Sequence, residues 1–148
     1  MWLLRSFVLS AAFSCSPARA LQQSPVSVTK PESKTVLITC QVSVPDFDKA
    51  FIHWYRTRPG AAPERVAYMA STLFLANRED EGKFSIEKDV GKSLCTLTVT
   101  KVTLRNAGTY YCARWDGYYY KIFGTGTKLI VSDKGNSKPE NSEILQTK

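Results

Sequence analysis

From Leu21 onward, apolar and polar positions alternate with a period of two, the pattern of strands with one face buried. Residues 35–42, 51–56, 65–69, 83–87, 94–99, 109–114 and 128–131 carry it, rich in β-branched and aromatic side chains. Turn-forming residues separate these runs: Arg58-Pro59-Gly60 and Pro63 before the third, and positions 89–92 before the fifth. No heptad, internal repeat or long helical stripe interrupts the series. Short strands punctuated by turns predict an all-β sandwich. After Ser132 the texture changes. Residues 133–148 hold no aromatic, one apolar pair (Ile144-Leu145) and many Ser, Asn, Lys and Glu. Such a segment buries too little apolar surface to offset its ordering entropy and reads as a flexible polar tail.

Residues 1–20 also break the pattern. Arg5 precedes an uncharged, mostly apolar run over 6–15, and Ala18-Arg19-Ala20 closes it with small residues around one side chain. That is the layout of a secretory signal peptide cut after Ala20, and the run is far short of the ~20 apolar residues a spanning helix needs. The chain therefore divides into a signal peptide (1–20), one domain (21–132) and the tail (133–148). It is expected to be secreted unless another part of the gene or a partner tethers it. The net charge of +7 falls to +5 once Arg5 and Arg19 leave with the signal. Acids and bases are interspersed, which argues against a nucleic-acid-binding stripe. Secretion carries Cys40, Cys95 and Cys112 into an oxidising compartment, where a disulfide is the default and three thiols leave one over.

The spacing of a few residues sharpens the architecture. Trp54 follows Cys40 by fourteen positions, and Cys112 follows it by seventy-two. In a two-sheet sandwich this spacing sets one cysteine on each sheet, bridged through the core with the indole packed on the bridge. Closing so long a loop constrains the unfolded chain by roughly 4 kcal/mol in the chain-entropy account. Tyr110, two residues before Cys112 in Asn106-Ala107-Gly108-Thr109-Tyr110-Tyr111-Cys112, stands where a tyrosine corner bonds back to the backbone. Phe123-Gly124-Thr125-Gly126 is a second signal: its glycines permit a bulge that turns Phe123 outward, where a partner would cover it. No Gly-Lys-Ser/Thr follows, so these glycines are a poor phosphate loop.

Together Cys40, Trp54, Tyr110, Cys112 and Phe123-Gly-Thr-Gly resemble the rearranged variable domain of an antibody or T-cell receptor, over 21–132. Phe51-Ile52-His53-Trp54-Tyr55, Ala62-Pro63-Glu64-Arg65 and Ala113-Arg114-Trp115-Asp116-Gly117 are most similar to a T-cell receptor gamma chain, as are Tyr119-Tyr120-Lys121-Ile122-Phe123 and Ser132-Asp133-Lys134. The resemblance implies an immunoglobulin-like V-type Greek-key β-sandwich of two antiparallel sheets. It implies a delta chain as heterodimer partner and, in a full receptor, signalling subunits at the plasma membrane. The alternatives are a light-chain-like variable domain and a V-type adhesion or inhibitory receptor. Two departures stand out. Asn106 and Lys83 replace the usual aspartate–arginine pair, leaving at best a weaker bond. Thr57 replaces the glutamine that often bonds across the domain pair.

In this architecture recognition sits in three loops at one end, over 44–50, 70–76 and 113–122. The candidate contacts are Asp46, Phe47, Asp48, Ser71, Thr72, Arg114, Trp115, Asp116, Tyr118 and Tyr119, with Trp115 and the tyrosines supplying large contact area at low entropy cost. Tyr55, Pro63, Tyr111 and Phe123 are expected on the sheet face opposite the core, as the partner-chain interface. Cys95 shares parity with Leu97 and Val99 and reads as an inert core thiol, with mispairing the alternative. His53, the sole histidine, is expected to pack beneath the loop end. No catalytic constellation, cofactor or metal set is evident, and no Asn-x-Ser/Thr sequon occurs.

Overall fold

The computed structural model describes residues 20–117 and 120–133. Residues 1–19 of the expected signal peptide, Tyr118, Tyr119 and residues 134–148 of the expected tail lie outside them.

Among the described residues the chain forms β1 (Gln22–Ser24), β2 (Ser27–Pro31), β3 (Val36–Gln41), β4 (Ile52–Thr57), β5 (Glu64–Met69), β6 (Leu73–Leu75), β7 (Phe84–Asp89), β8 (Leu94–Val99), β9 (Gly108–Asp116), β10 (Tyr120–Phe123) and β11 (Thr127–Ser132). Short 3-10 turns occupy Arg78–Asp80 and Leu104–Asn106. One sheet has the order β1-β3-β8-β7. The other runs β2-β11-β9-β4-β5-β6, with β10 on the upper half of β9. The chain crosses between sheets after β1, β2, β3, β6 and β8, giving the Greek-key sandwich with the extra β5–β6 hairpin of a V-type domain. The named strands pair antiparallel except that β2 runs parallel to β11, Leu129 facing Val28, and an isolated parallel bridge joins Leu21 to Gly124.

Period-two burial builds the core. On β3, Val36, Ile38 and Cys40 turn inward while Leu37 stays out; on β8, Cys95, Leu97 and Val99 do the same. Each fully buried side chain such as Ile38 or Leu97 contributes about 1.5–3 kcal/mol. Cys40 and Cys112 are joined between the sheets, with Cα atoms 6.4 Å apart, and Trp54 faces Cys112 in register on the neighbouring strand. The Tyr110 hydroxyl donates to the Asn106 carbonyl at 2.6 Å, closing the corner. Cys95 is free, fully buried, and directly across from Cys40. Burial pushes its thiol up to about 11, so thiolate, the reactive form, is scarce.

The Asn106–Lys83 bond is not made; the two side chains serve different turns. Asn106 accepts from the Thr103 amide at 2.8 Å, while Lys83 donates to the carbonyls of Thr100 and Lys101 at 3.0 and 2.6 Å.

Candidate partner face and recognition loops

Trp54 points into the core, so its neighbours His53 and Tyr55 point out of the seven-stranded sheet. A bulge in the β4–β5 pairing, where Trp54 faces Ala67 but Tyr55 faces Arg65, sets Val66 and Ala67 both inward. Tyr68 and Arg65 then join the outer face. The result is a continuous aromatic strip. Phe74 stacks on Tyr68 with centroids 4.8 Å apart, Tyr68 on His53 at 5.4 Å, His53 on Tyr55 at 6.3 Å, and Tyr55 meets Phe123 at 5.7 Å. Two cations lie over it: the Arg65 guanidinium 4.4 Å from the Tyr68 centroid, and Lys121 Nζ 4.6 Å from Tyr55 and 4.7 Å from Trp115. Lys121 also donates to the Tyr55 hydroxyl.

Tyr55, Tyr111 and Phe123 are thus brought together on one face, with Tyr55 and Tyr111 in register. Pro63 lies exposed just ahead of β5. Sequence reasoning missed Tyr68, Phe74, Arg65 and Lys121. The signal for Tyr68 was obscured because the bulge breaks strict alternation around Val66-Ala67.

His53 is buried within this strip rather than simply tucked beneath the loops. Burial, followed by the fields of Arg65 and Lys121, lowers its pKa from 6.5 to about 4. Between these values the unfolded chain takes up a proton that the folded domain refuses. Stability is therefore complete above about pH 6.5 and declines as pH falls towards 4, by about 1–2 kcal/mol after discounting for solvent screening. Thermal unfolding at pH 7 and pH 4.5 should show His53→Phe losing less stability on acidification than the wild type; equal losses would exclude His53 as the cause.

Gln23 organises the glycine-rich segment from below. Its side-chain nitrogen donates to the Tyr110 carbonyl at 2.9 Å and the Thr127 hydroxyl at 3.3 Å, and its oxygen accepts from the amides of Cys112 and Gly126, both at 3.1 Å. A Cβ on Gly124 would stand 2.0 Å from that oxygen and 2.7 Å from Cys112 Sγ. At Gly126, whose φ is +93°, it would meet the Tyr111 ring at 2.7 Å. The glycines let the strand break between β10 and β11, and Phe123 emerges 44% exposed.

The described loop residues gather at one end, with one correction. Phe47 was expected to meet ligand, but its ring is 4% exposed and belongs to the core cluster. It anchors the loop instead. Lys88 on β7 sits 5.3 Å from the Phe47 centroid and donates to the carbonyls of Phe47 (3.0 Å), Asp48 (3.4 Å) and Ala50. The carbonyl of Asp46, a residue at φ +52°, accepts from the Lys49 and Ala50 amides at 2.9 and 3.0 Å, which closes the turn and leaves Asp46 and Asp48 exposed. Ser71 and Thr72 are exposed between β5 and β6, which narrows the second loop because residues 73–75 are strand. The third loop narrows further: β9 runs through Asp116 and β10 resumes at Tyr120, so Arg114 lies in the ladder opposite Ile122. Trp115 is 47% exposed and Asp116 stands 4.0 Å from the Arg114 guanidinium. Val44, Pro45, Ala50, Phe51, Arg114 and Trp115 line a cleft of about 360 Å³ between the first and third loops. Arg114 Nε is buried beside it without a hydrogen-bond partner among the described residues.

The family model of the immunoglobulin V-set domain matches residues 23–132. A mouse T-cell receptor gamma chain V region is 36% identical over 118 residues, covering 75% of this chain and 85% of that one. A rabbit Ig kappa chain V region is 35% identical over 112 residues, covering 75% and 95%. Among solved structures, a marsupial T cell receptor chain superposes with a TM-score of 0.67 at 33% identity, covering 76% of this chain; the chain spans about half, 51%, of that receptor chain's length. Fold, disulfide, corner and relatives agree: the chain belongs to the immunoglobulin V-set family and is similar to T-cell receptor gamma variable regions.

Proposed function

We propose that this is the ligand-recognition variable domain of a T-cell receptor gamma chain, non-catalytic, pairing through its seven-stranded sheet with a delta-chain variable domain. The observation that carries the reading is the aromatic strip from Phe74 to Phe123, exposed at both ends and half-buried or buried between, on the face where Tyr55 and Tyr111 converge. An apolar patch of this extent on a secreted domain marks an interaction surface. Residues 1–20 would deliver the chain to the secretory pathway, and 133–148 would follow the domain as a polar linker or tail. No helix among the described residues is long and apolar enough to cross a membrane. As part of a full receptor the domain would sit with signalling subunits at the plasma membrane. With the strip covered, Asp46, Asp48, Ser71, Thr72, Arg114, Trp115 and Asp116 remain free to contact ligand, with Tyr118 and Tyr119 following them in sequence.

A light-chain-like role, pairing with a heavy-chain variable domain, is the second reading, favoured by the 35% identity to a kappa region. Co-expression with delta-chain and heavy-chain variable domains separates the two. The gamma reading expects a stable 1:1 complex with a delta domain in sedimentation and a weaker or absent one with a heavy domain. The reverse order would replace it with the light-chain reading, and no complex with either would remove both.

A further inference from the structure

The strip described above is not a plain apolar face. Arg65 and Lys121 lie on it, one at each side of the His53 stack, with their charged ends over Tyr68 and Tyr55. They stand on β5 and β10, three strand spacings apart in the order β10-β9-β4-β5, or about 14 Å across the sheet. The ion pairs among the described residues use Arg56, Arg58 and Arg114 with Glu64 and Asp116; neither Arg65 nor Lys121 takes part. The field they create is felt inside the face, since both act on His53 in the same direction. Covering this surface with an apolar partner would strip water from two cations and give nothing in return.

We propose that the partner seated on this face is a V-type domain whose own sheet carries two carboxylates opposite Arg65 and Lys121. These carboxylates, beyond the aromatic contact, select which variable domain pairs. This deepens the pairing reading above and rests on it. The rings hold the cations in place before association: Lys121 lies within 6 Å of three ring centroids, Tyr55, Trp115 and Phe123. Less side-chain freedom is then lost when the carboxylates arrive. A domain lacking those acids leaves both cations desolvated, and a domain with bases there is repelled, so rejection is built into the same two positions.

The test measures the dissociation constant of the chain with a delta-chain variable domain at 50 and 500 mM NaCl. It does so for wild type, Arg65→Glu, the double variant Arg65→Glu/Lys121→Glu, and Phe123→Asp. Thermal unfolding of each variant alone confirms folding, and Arg65, being exposed, carries the argument if the Lys121 change perturbs its ring neighbours. The expected result is a wild-type affinity that weakens about tenfold or more between the two salts, with the single and double reversals weakening pairing at low salt by about tenfold and a hundredfold. If wild-type affinity is flat with salt and the reversals pair normally while Phe123→Asp does not, the charge selection is wrong and the pairing reading stands. If wild type forms no complex even at 50 mM, both fall together.

Discussion

Phe123→Asp is expected to abolish association with a partner variable domain while leaving this one folded. Phe123 is 44% exposed in the free domain and meets Tyr55 at 5.7 Å, so it lies on the strip rather than in the core. Truncating a central aromatic of an interface typically costs about 2 kcal/mol or more, about thirtyfold in affinity, and a buried carboxylate adds its own desolvation. The folded domain loses little, because the aspartate would stand in water near Lys121, whose ammonium lies 5.9 Å from the present ring centroid. A stability change within about 1 kcal/mol is expected. Sedimentation of the co-expressed pair, with thermal unfolding of the free variant, measures both quantities. Retained co-purification would remove Phe123 from the interface, and loss of the folded state would move it into the core.

Gly124→Ala should instead damage the domain itself. The added methyl would fall 2.0 Å from Gln23 Oε1 and 2.7 Å from Cys112 Sγ, groups that have little room to retreat. Gln23 is 7% exposed and satisfies the Cys112 and Gly126 amides together with the Tyr110 carbonyl. Displacing it strands buried backbone groups, at about 1–3 kcal/mol each, on top of the overpacking cost. A loss of about 3–5 kcal/mol is expected, lowering Tm by about 15 °C or more for a domain of this size. A change of less than about 1 kcal/mol would mean that Gln23 is not held as described. Gln23→Ala, which vacates the space, should partly relieve the clash in the double variant, and their non-additivity measures the coupling.

The contrast between these two positions shows what the sequence could and could not convey. The frame was legible because it rests on spacing: Cys40, Trp54, Tyr110 and Cys112 occupy fixed registers on β3, β4 and β9, and alternation along β8 turns Cys95 inward with Leu97 and Val99. The strands β1, β2, β6 and β10 were not legible. They run three to five residues and are held by main-chain pairing to neighbours, so their side chains carry almost no periodic signal. Gln23 was invisible for a related reason: its partners lie 87 to 104 positions away, and nothing local marks a polar residue on so short a strand as a buried hub. Phe47 was misread because an aromatic among aspartates resembles a contact residue. Only Lys88, forty-one positions on, reveals that the ring is packed under the loop it belongs to. On the outer face of the seven-stranded sheet, Tyr55 and Tyr111 followed from parity with Trp54 and Cys112, and Phe123 from the glycines after it. The two cations of that face did not, because their placement depends on side chains crossing strands.

Everything about pairing depends on a partner covering the outer face of the seven-stranded sheet. Hydroxyl-radical footprinting of the chain, alone and with a delta-chain variable domain, tests this side chain by side chain. Tyr55, Tyr68, Phe74 and Phe123 are predicted to lose reactivity in the complex, while Leu37 and Val90, 59% and 57% exposed and carried by the other sheet and its β7–β8 turn, react as before. Protection of Leu37 and Val90 with the aromatic strip still reactive would contradict it.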